Sequence, residues 1–397
     1  MTNGWQTKQL GELCETFADG DWVESKDQSA DGIRLIQTGN VGEGVFKDRA
    51  EKARYISEAT FTRLRCTEIF EGDCLVSRLP DPVGRSCILP ETGERMITAV
   101  DCTILRFKPS QLLPAFFNHY SQSDDYLGTV AKECTGTTRN RISRSNLALT
   151  PIPVPPLPEQ KRIIGILDEA FACLAIAKAN VEKNLQNARA LFESHLQSVF
   201  TQRGKGWVEK ALGDVCEFVG GSQPPKSVFS KTKTADNIRL IQIRDYKSDK
   251  HVVYIPRLQA RRFCSADDVM IGRYGPPLFQ ILRGLDGAYN VALMKAVPDE
   301  SQLSLDFLFY FLKHSTILQY VIYHSERAAG QIGVTKETLQ PYPIALPSLT
   351  EQRKVVETIT ELDAETQRLA NIYEQKLGAL EALKRSLLHH AFTGQLK

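Results

Sequence analysis

Between Lys132 and Arg144, four basic side chains and one acid share thirteen positions with glycine, threonine and asparagine. Glycine and asparagine break regular structure, so the segment reads as a loop. A guanidinium fork matches O6 and N7 of guanine, and a carboxamide matches N6 and N7 of adenine. Hydroxyls and backbone N–H groups hold phosphate oxygens. Arg139, Asn140 and Arg141 are therefore candidates for base contacts and Arg144 for phosphate positioning; a solvated polar turn is the plainer alternative. A second stretch, Gln223 to Arg262, carries ten basic residues against three acids, with Phe229, Tyr246 and Tyr254 interleaved. Lys226, Lys231 and Lys233 are its candidates for phosphate contact. A third, Ala328 to Lys336, answers the first loop, with Gln331 where Arg139 stood and Lys336 where Arg144 stood. Arg78 and Arg273, each closing an apolar run, complete the positioning set.

Catalytic patterns are missing beside these binding patterns. The sequence has no GxxxxGKS/T phosphate loop, no GxSxG and no HExxH, and its seven histidines are scattered. Acidic residues do not cluster with lysine as a nuclease metal site requires. The nine cysteines are odd in number and lack CxxC spacing, so they read as small buried apolar residues in a reducing compartment. No run of 18 apolar residues occurs, and Met1–Trp5 has no basic segment before an apolar one; the expectation is a cytoplasmic chain with no membrane partner. Net charge is only +2, but residues 1–155 carry 18 basic and 21 acidic groups while residues 202–347 carry 19 and 14. Neither is a strongly basic block, so any nucleic-acid contact must come from local patches.

The elements that would position these loops occur twice. Trp5-x4-Leu10-Gly11-Glu12 is answered by Trp207-x4-Leu212-Gly213-Asp214, and Ile33-Arg34-Leu35-Ile36-Gln37 recurs unchanged as Ile238–Gln242. Gly72–Arg78 resembles Asp267–Arg273, and Ile142-Ser143-Arg144-x2-Leu147 matches Val334-Thr335-Lys336-x2-Leu339. Between these blocks the halves diverge, as one scaffold with two different surfaces would. Short apolar runs at 33–37, 73–77, 86–89 and 103–107 predict strands; 113–120 and 305–312 predict core helices.

Two proline-stiffened hinges, Pro155-Pro156-Leu157-Pro158-Glu159-Gln160 and Leu346-Pro347-Ser348-Leu349-Thr350-Glu351-Gln352, each lead into a long periodic segment. Leu167, Phe171, Leu174, Val181, Leu185, Ala188, Phe192 and Val199 follow alternating steps of four and three, interrupted by Lys178 and His195. Val355, Ile359, Leu362, Leu369, Tyr373, Leu380, Leu383 and Leu387 do the same, interrupted by Thr366 and Lys376. Such spacing predicts coiled-coil helices, each the natural antiparallel partner of the other, with pairing to a second copy of the chain as the alternative. Gly394 is the expected stop of the second. The fold class is α+β: two mixed α/β globular modules, residues 1–155 and 202–347, joined by long helices at 156–201 and 348–397, with an internal pseudo-twofold repeat.

The hinge Pro155–Ile164, its second copy ending Glu351-Gln352-Arg353-Lys354-Val355-Val356, and the terminal Ala391-Phe392-Thr393-Gly394-Gln395-Leu396 resemble the specificity (S) subunits of type I restriction–modification enzymes. Thr135–Arg144 is similar to that family's Gly-Thr-Thr-x-x-Arg-Ile segment. Two departures stand out: the second loop reads Ala-Ala-Gly-Gln-Ile-Gly-Val, and Thr350 precedes Glu351-Gln352. The resemblance implies two target recognition domains, each reading half of a bipartite site in double-stranded DNA, with the helices fixing the spacing. It implies two methyltransferase (M) subunits docked on the helices, methylating adenine with S-adenosylmethionine, and restriction (R) subunits using ATP and Mg. The chain itself would need no cofactor or metal and would be no enzyme. A coiled-coil adaptor that binds protein rather than DNA is the rival reading. A fused methyltransferase would need an Asn/Asp-Pro-Pro-Tyr/Phe motif, which Asp81-Pro82-Val83 and Gly275-Pro276-Pro277-Leu278 do not supply.

Overall fold

The structure, a computed structural model, describes residues 4–136, 140–202, 204, 206–326 and 333–396. It divides into two compact units, residues 1–182 with 375–397, and residues 183–374. Each long helix therefore contributes one part to each unit.

The first unit contains β1 (Gln6–Gln9), β2 (Cys14–Asp19), β3 (Ile33–Ile36), β4 (Tyr55–Ile56), β5 (Glu68–Ile69), β6 (Cys74–Ser77), β7 (Ser86–Ile88), β8 (Met96–Thr98), β9 (Cys102–Phe107) and β10 (Pro151–Val154). They form sheets of order β2-β9-β6-β7 and β4-β3-β8-β5, with β1 and β10 as a separate antiparallel pair. Only β3 and β8 run parallel among these pairs. The apolar run of β6 is buried on both faces because it lies between two layers. Cys74 and Val76 face Phe116, Phe117 and Tyr126 on the helical side; Leu75 faces Ile36, Ile69 and Met96 of the second sheet. That two-sided burial explains why the run lacks polar alternation. Asp73, expected to open this strand, instead caps the turn before it, its carboxylate accepting from Phe70 N at 2.9 Å and pairing with Arg106 at 2.8 Å.

The second unit repeats the plan: β11 (Val208–Ala211), β12 (Cys216–Gly220), β13 (Asn237–Ile241), β14 (Tyr254–Pro256), β15 (Phe263–Cys264), β16 (Val269–Gly272), β17 (Gln280–Leu282), β18 (Gly287–Tyr289), β19 (Leu293–Pro298) and β20 (Pro343–Leu346). Its sheets are ordered β12-β19-β16-β17 and β14-β13-β18-β15, with β11 and β20 paired apart. Strand for strand the two orders correspond, and β13 and β18 are again parallel. The predicted core helices run Pro114–Tyr120 and Leu305–Lys313.

The long helices span Leu157–Thr201 and Leu349–Phe392. In the first unit Arg162 Nη2 donates to Leu396 O at 2.9 Å and Lys178 pairs with Glu381 at 2.8 Å, so the segments there are antiparallel. Leu388, Ala391 and Phe392 close over Ile163 and Leu167 in one core. In the second unit Arg189 pairs with Glu374 at 3.0 Å, and Leu196 and Phe200 share a core with Ile359, again antiparallel. The expected apolar seam is only partly covered. Leu383 remains 48% exposed, and off-seam Ile176 and Leu191 are 64% and 65% exposed, because one partner helix shields one flank. Gly394 stops the second helix in a left-handed conformation, φ +71°, with Gln395 N donating to His390 O at 2.9 Å.

Each hinge ends in a buried glutamine. Gln160 Nε2 donates to Pro155 O and Gln111 O, both at 2.9 Å, while its Oε1 accepts from Leu113 N at 2.9 Å. Gln352 makes the same three bonds, to Pro347 O at 3.1 Å, to Gln302 O at 2.7 Å and from Ser304 N at 2.8 Å. The side chain satisfies backbone groups at the start of each core helix that would otherwise be buried without partners. The glutamine of each hinge is thus a clamp between long helix and globular core.

Candidate nucleic-acid interface

In the first unit the arginine loop is pinned at both ends. Thr135 and Arg141 exchange backbone hydrogen bonds at 2.9 and 3.0 Å, Ile142 is fully buried, and Ile142 N donates to Arg78 O at 3.3 Å. Ser143 then caps a short helix, Arg144–Ala148, accepting from Asn146 N at 3.0 Å. This brings Arg78, Arg141 and Arg144 together around two carboxylates. Arg141 pairs with Asp101 at 2.9 Å, Arg78 with Asp19 at 3.2 Å, and Arg144 Nε lies 4.0 Å from Asp19. Arg78 is 3% exposed and its Nη2 donates to Val100 O at 2.5 Å. Burial lowers its pKa and Asp19 opposes the shift, so it positions the loop from beneath rather than offering its fork to solvent. Arg141, Arg144 and Asn140 are exposed. Asn140 also lines an open pocket of ≈ 660 Å³ with Pro80, Pro82, Asp124 and Cys134. Arg139 lies outside the described residues, as does Gln331 of the second loop.

Arg273 holds the corresponding place in the second unit. It accepts on its backbone from Val334 N at 3.0 Å, and its guanidinium donates to Val334 O at 2.9 Å and Val291 O at 3.3 Å. Lys336, at the start of the helix Lys336–Leu339 capped by Thr335, is exposed, 3.9 Å from Glu337. Lys226, Lys231 and Lys233 are exposed on the segment before β13. Lys231 shares an open pocket of ≈ 480 Å³ with Arg239, Arg244 and Lys250. Arg239 is not available there, since Asp249 at 2.8 Å and the buried Asp245 at 3.8 Å engage it. Lys226 and Lys233 do not line that pocket.

Strand register aligns the two frames residue by residue. Asp19 pairs with Thr103 as Gly220 pairs with Met294, and the next residue is Gly20 in one unit and Gly221 in the other. A Cβ at either glycine would collide with a backbone carbonyl oxygen, of Thr98 and Ala99 or of Asn290. Only glycine lets the chain pass that close. One residue on, Asp21 N donates to Thr98 O at 2.7 Å and Ser222 N to Tyr289 O at 3.1 Å. On the same frame the side chains are opposed. Asp21 turns inward to accept from Thr67 N at 2.9 Å, and burial pushes its carboxyl pKa up; Trp22 beside it is 69% exposed. In the second unit Gly220, Gly221, Ser222 and Gln223 face Arg261 and Arg262 across a cleft of ≈ 640 Å³ that has no acidic lining residue. Sequence reading placed Arg261 and Arg262 within the basic stretch but did not set them opposite Gln223. The only signal was the adjacent pair itself, since the long-range pairing of β15 with β18 brings them there.

Residues 2–187 and again 204–376 match the type I restriction modification DNA specificity domain. The chain belongs to that family. Its members are named for recognising DNA rather than for catalysis. The chain is 21% identical over 425 residues to the putative type I restriction enzyme MjaX specificity subunit of Methanocaldococcus jannaschii, covering 99% of this chain and 94% of that one. It is 24% identical over 330 residues to the type I restriction enzyme EcoKI specificity subunit of Escherichia coli K12, covering 74% and 68%. Among solved structures, a chain from a type I R-M system, studied for its complex assembly and conformational transition, superposes with a TM-score of 0.80 at 21% identity, covering 100% of this chain and 99% of that one. The HsdS subunit of Thermoanaerobacter tengcongensis gives 0.57 at 21% identity, covering 100% and 98%. Both carry the specificity-subunit fold. Among the described residues no helix is long and apolar enough to cross a membrane.

Proposed function

We propose that this chain is the DNA-reading subunit of a type I restriction–modification complex, with residues 1–155 and 202–347 as recognition modules for two unlike half-sites. The helices at 156–201 and 348–397 act as spacers and dock two M subunits, which methylate adenine using S-adenosylmethionine. R subunits, with ATP and Mg, join through them. This chain supplies recognition only: exposed Arg141, Arg144 and Asn140 toward one half-site, and Lys226, Lys231, Lys233 and Lys336 toward the other. Arg78 and Arg273 hold the loops from below.

One observation carries the reading. At matched positions of a matched frame, the first unit has Asp19, Asp21 and Trp22 where the second has Gly220, Ser222 and Gln223. A duplicated adaptor for one protein partner would gain nothing from such divergence at one shared edge, whereas two base readers require it. Selection of duplexes from a random library by the chain assembled with its M subunits tests this. Two conserved blocks of different sequence, separated by a fixed gap, are expected, and Arg141→Ala should relax one block alone. Recovery of no sequence, with binding that only follows salt concentration, would overturn the proposal.

A further inference from the structure

We infer that Gln223, Arg261 and Arg262 form a base-reading cleft of the second unit, and that the cleft sets sequence preference rather than general affinity. The inference rests on the proposed DNA-reading function and names the surface that performs it. Three features separate this cleft from an ordinary basic face. First, its floor is backbone: Gly221 brings the chain against Asn290 O, Gly220 opens on free space, and the exposed Gln223 lies at the rim with its Nε2 donating, among the described residues, only to the adjacent Pro224 O at 3.3 Å. Second, both arginines are exposed, and among the described residues neither forms an ion pair, so their forks are not consumed internally as those of Arg34 and Arg78 are. Third, Arg273 donates to Val291 O at the cleft edge, which couples the cleft to the Val334 loop.

The chemistry is that of purine edges. An arginine fork takes O6 and N7 of guanine, and a glutamine carboxamide takes N6 and N7 of adenine. Gln223, Arg261 and Arg262 line one opening, so they would address one or two adjacent base pairs. The same frame in the first unit cannot do this. There β5 and β8 pair as β15 and β18 do, which places Cys66 and Thr67 where Arg261 and Arg262 stand. Asp21 closes onto Thr67 N, so that edge of the first unit presents Trp22 instead.

The experiment uses the full chain assembled with M subunits, at one fixed salt concentration, against duplexes drawn from a random library. Four proteins are compared: the natural chain, Arg261→Ala/Arg262→Ala, Arg261→Lys/Arg262→Lys, and Gln223→Ala. All substituted positions are exposed, and matching thermal melts confirm the fold. In the arginine double variant, preference at one or two adjacent positions of a single half-site should fall about 10- to 100-fold, with the other half-site unchanged. Lysine should not restore it, because a point charge lacks the fork. Gln223→Ala should relax a position within or beside the same pair. A uniform loss across all sequences, restored by lysine and accompanied by a shallower salt slope, would make these residues phosphate anchors and overturn the inference. Unchanged preference would overturn it too. Failure of the natural chain to select any bipartite sequence is a separate result that removes the underlying function as well.

Discussion

The two units carry one frame and two surfaces. At the buried joints they agree: Gln160 and Gln352 make the same three bonds, β6 and β16 both lie between two layers, and Arg78 and Arg273 accept from Ile142 N and Val334 N alike. At the exposed edge they part. Asp19 neutralises Arg78 in one unit, while Gly220 leaves Arg273 without a carboxylate at that position in the other. The seam between core helix and long helix differs as well. His119 Nε2 meets Asp168 Oδ1 at 2.8 Å in the first unit, whereas the matched pair in the second is Tyr310 with Thr360, at 3.2 Å. The lesson is that buried hydrogen-bonding geometry holds a duplicated frame, and the charge at its edge is free to diverge.

The largest expected effect breaks the shared part. Gln160→Ala leaves Leu113 N, Gln111 O and Pro155 O unpaired and should destabilise the first unit by about 3 kcal/mol. Gln352→Ala should do the same to the second. Native-state hydrogen exchange reads each unit separately, and protection should fall only in the unit altered. Equal loss in both units would mean the clamps are not local. Next comes Asp19→Asn, which strips the buried Arg78 of its counter-charge. A cost of about 2 kcal/mol to the first unit follows, less than for a fully buried pair because Asp19 is partly exposed.

Gly220→Asp makes the converse change. A side chain there meets nothing within 4 Å, so the fold should be undisturbed. The carboxylate would stand near Arg273 as Asp19 does near Arg78, and affinity for the half-site of the second unit should drop about fivefold, within the ordinary range for charge placement beside a phosphate-facing surface. Unchanged affinity would show that Arg273 is remote from bound DNA. The smallest effect concerns acid. Burial lowers the His119 pKa, more than Asp168 raises it, while Lys384 also acts to lower it. The unfolded chain therefore binds the proton first, and stability falls as pH drops below the ordinary histidine value toward the lowered one. His119→Tyr with Asp168→Thr, copying the second unit, should remove that part of the acid sensitivity. His314 is also buried with a lowered pKa, so some sensitivity should remain in the second unit. A pH–stability profile of the two proteins, followed by hydrogen exchange, distinguishes them.

Much of the frame was legible in the sequence because it was written twice. Ile33–Gln37 and Ile238–Gln242 are the same letters, and both supply strands that pair in parallel with a later one. Hinges and long helices followed from proline stiffness and from apolar steps of four and three. The clamps were not legible, since a glutamine beside a glutamate in a first helical turn reads as solvated, and only the folded chain shows it fully buried. Nor was the fate of Arg78: its partner Asp19 is distant in sequence, and the β2–β9–β6 order brings them together. Gln223 and Arg261-Arg262 were visible as residues of a basic stretch, but their shared cleft depends on β15, β18 and Gly221 meeting in space.

The most direct test of two readers on one frame is a genome-wide map of adenine methylation in cells carrying this chain with its M subunits, set against cells lacking it. One new class of modified sites is expected, with two unlike half-sites at a fixed separation. Sites whose halves are identical, or no new sites at all, would contradict that expectation.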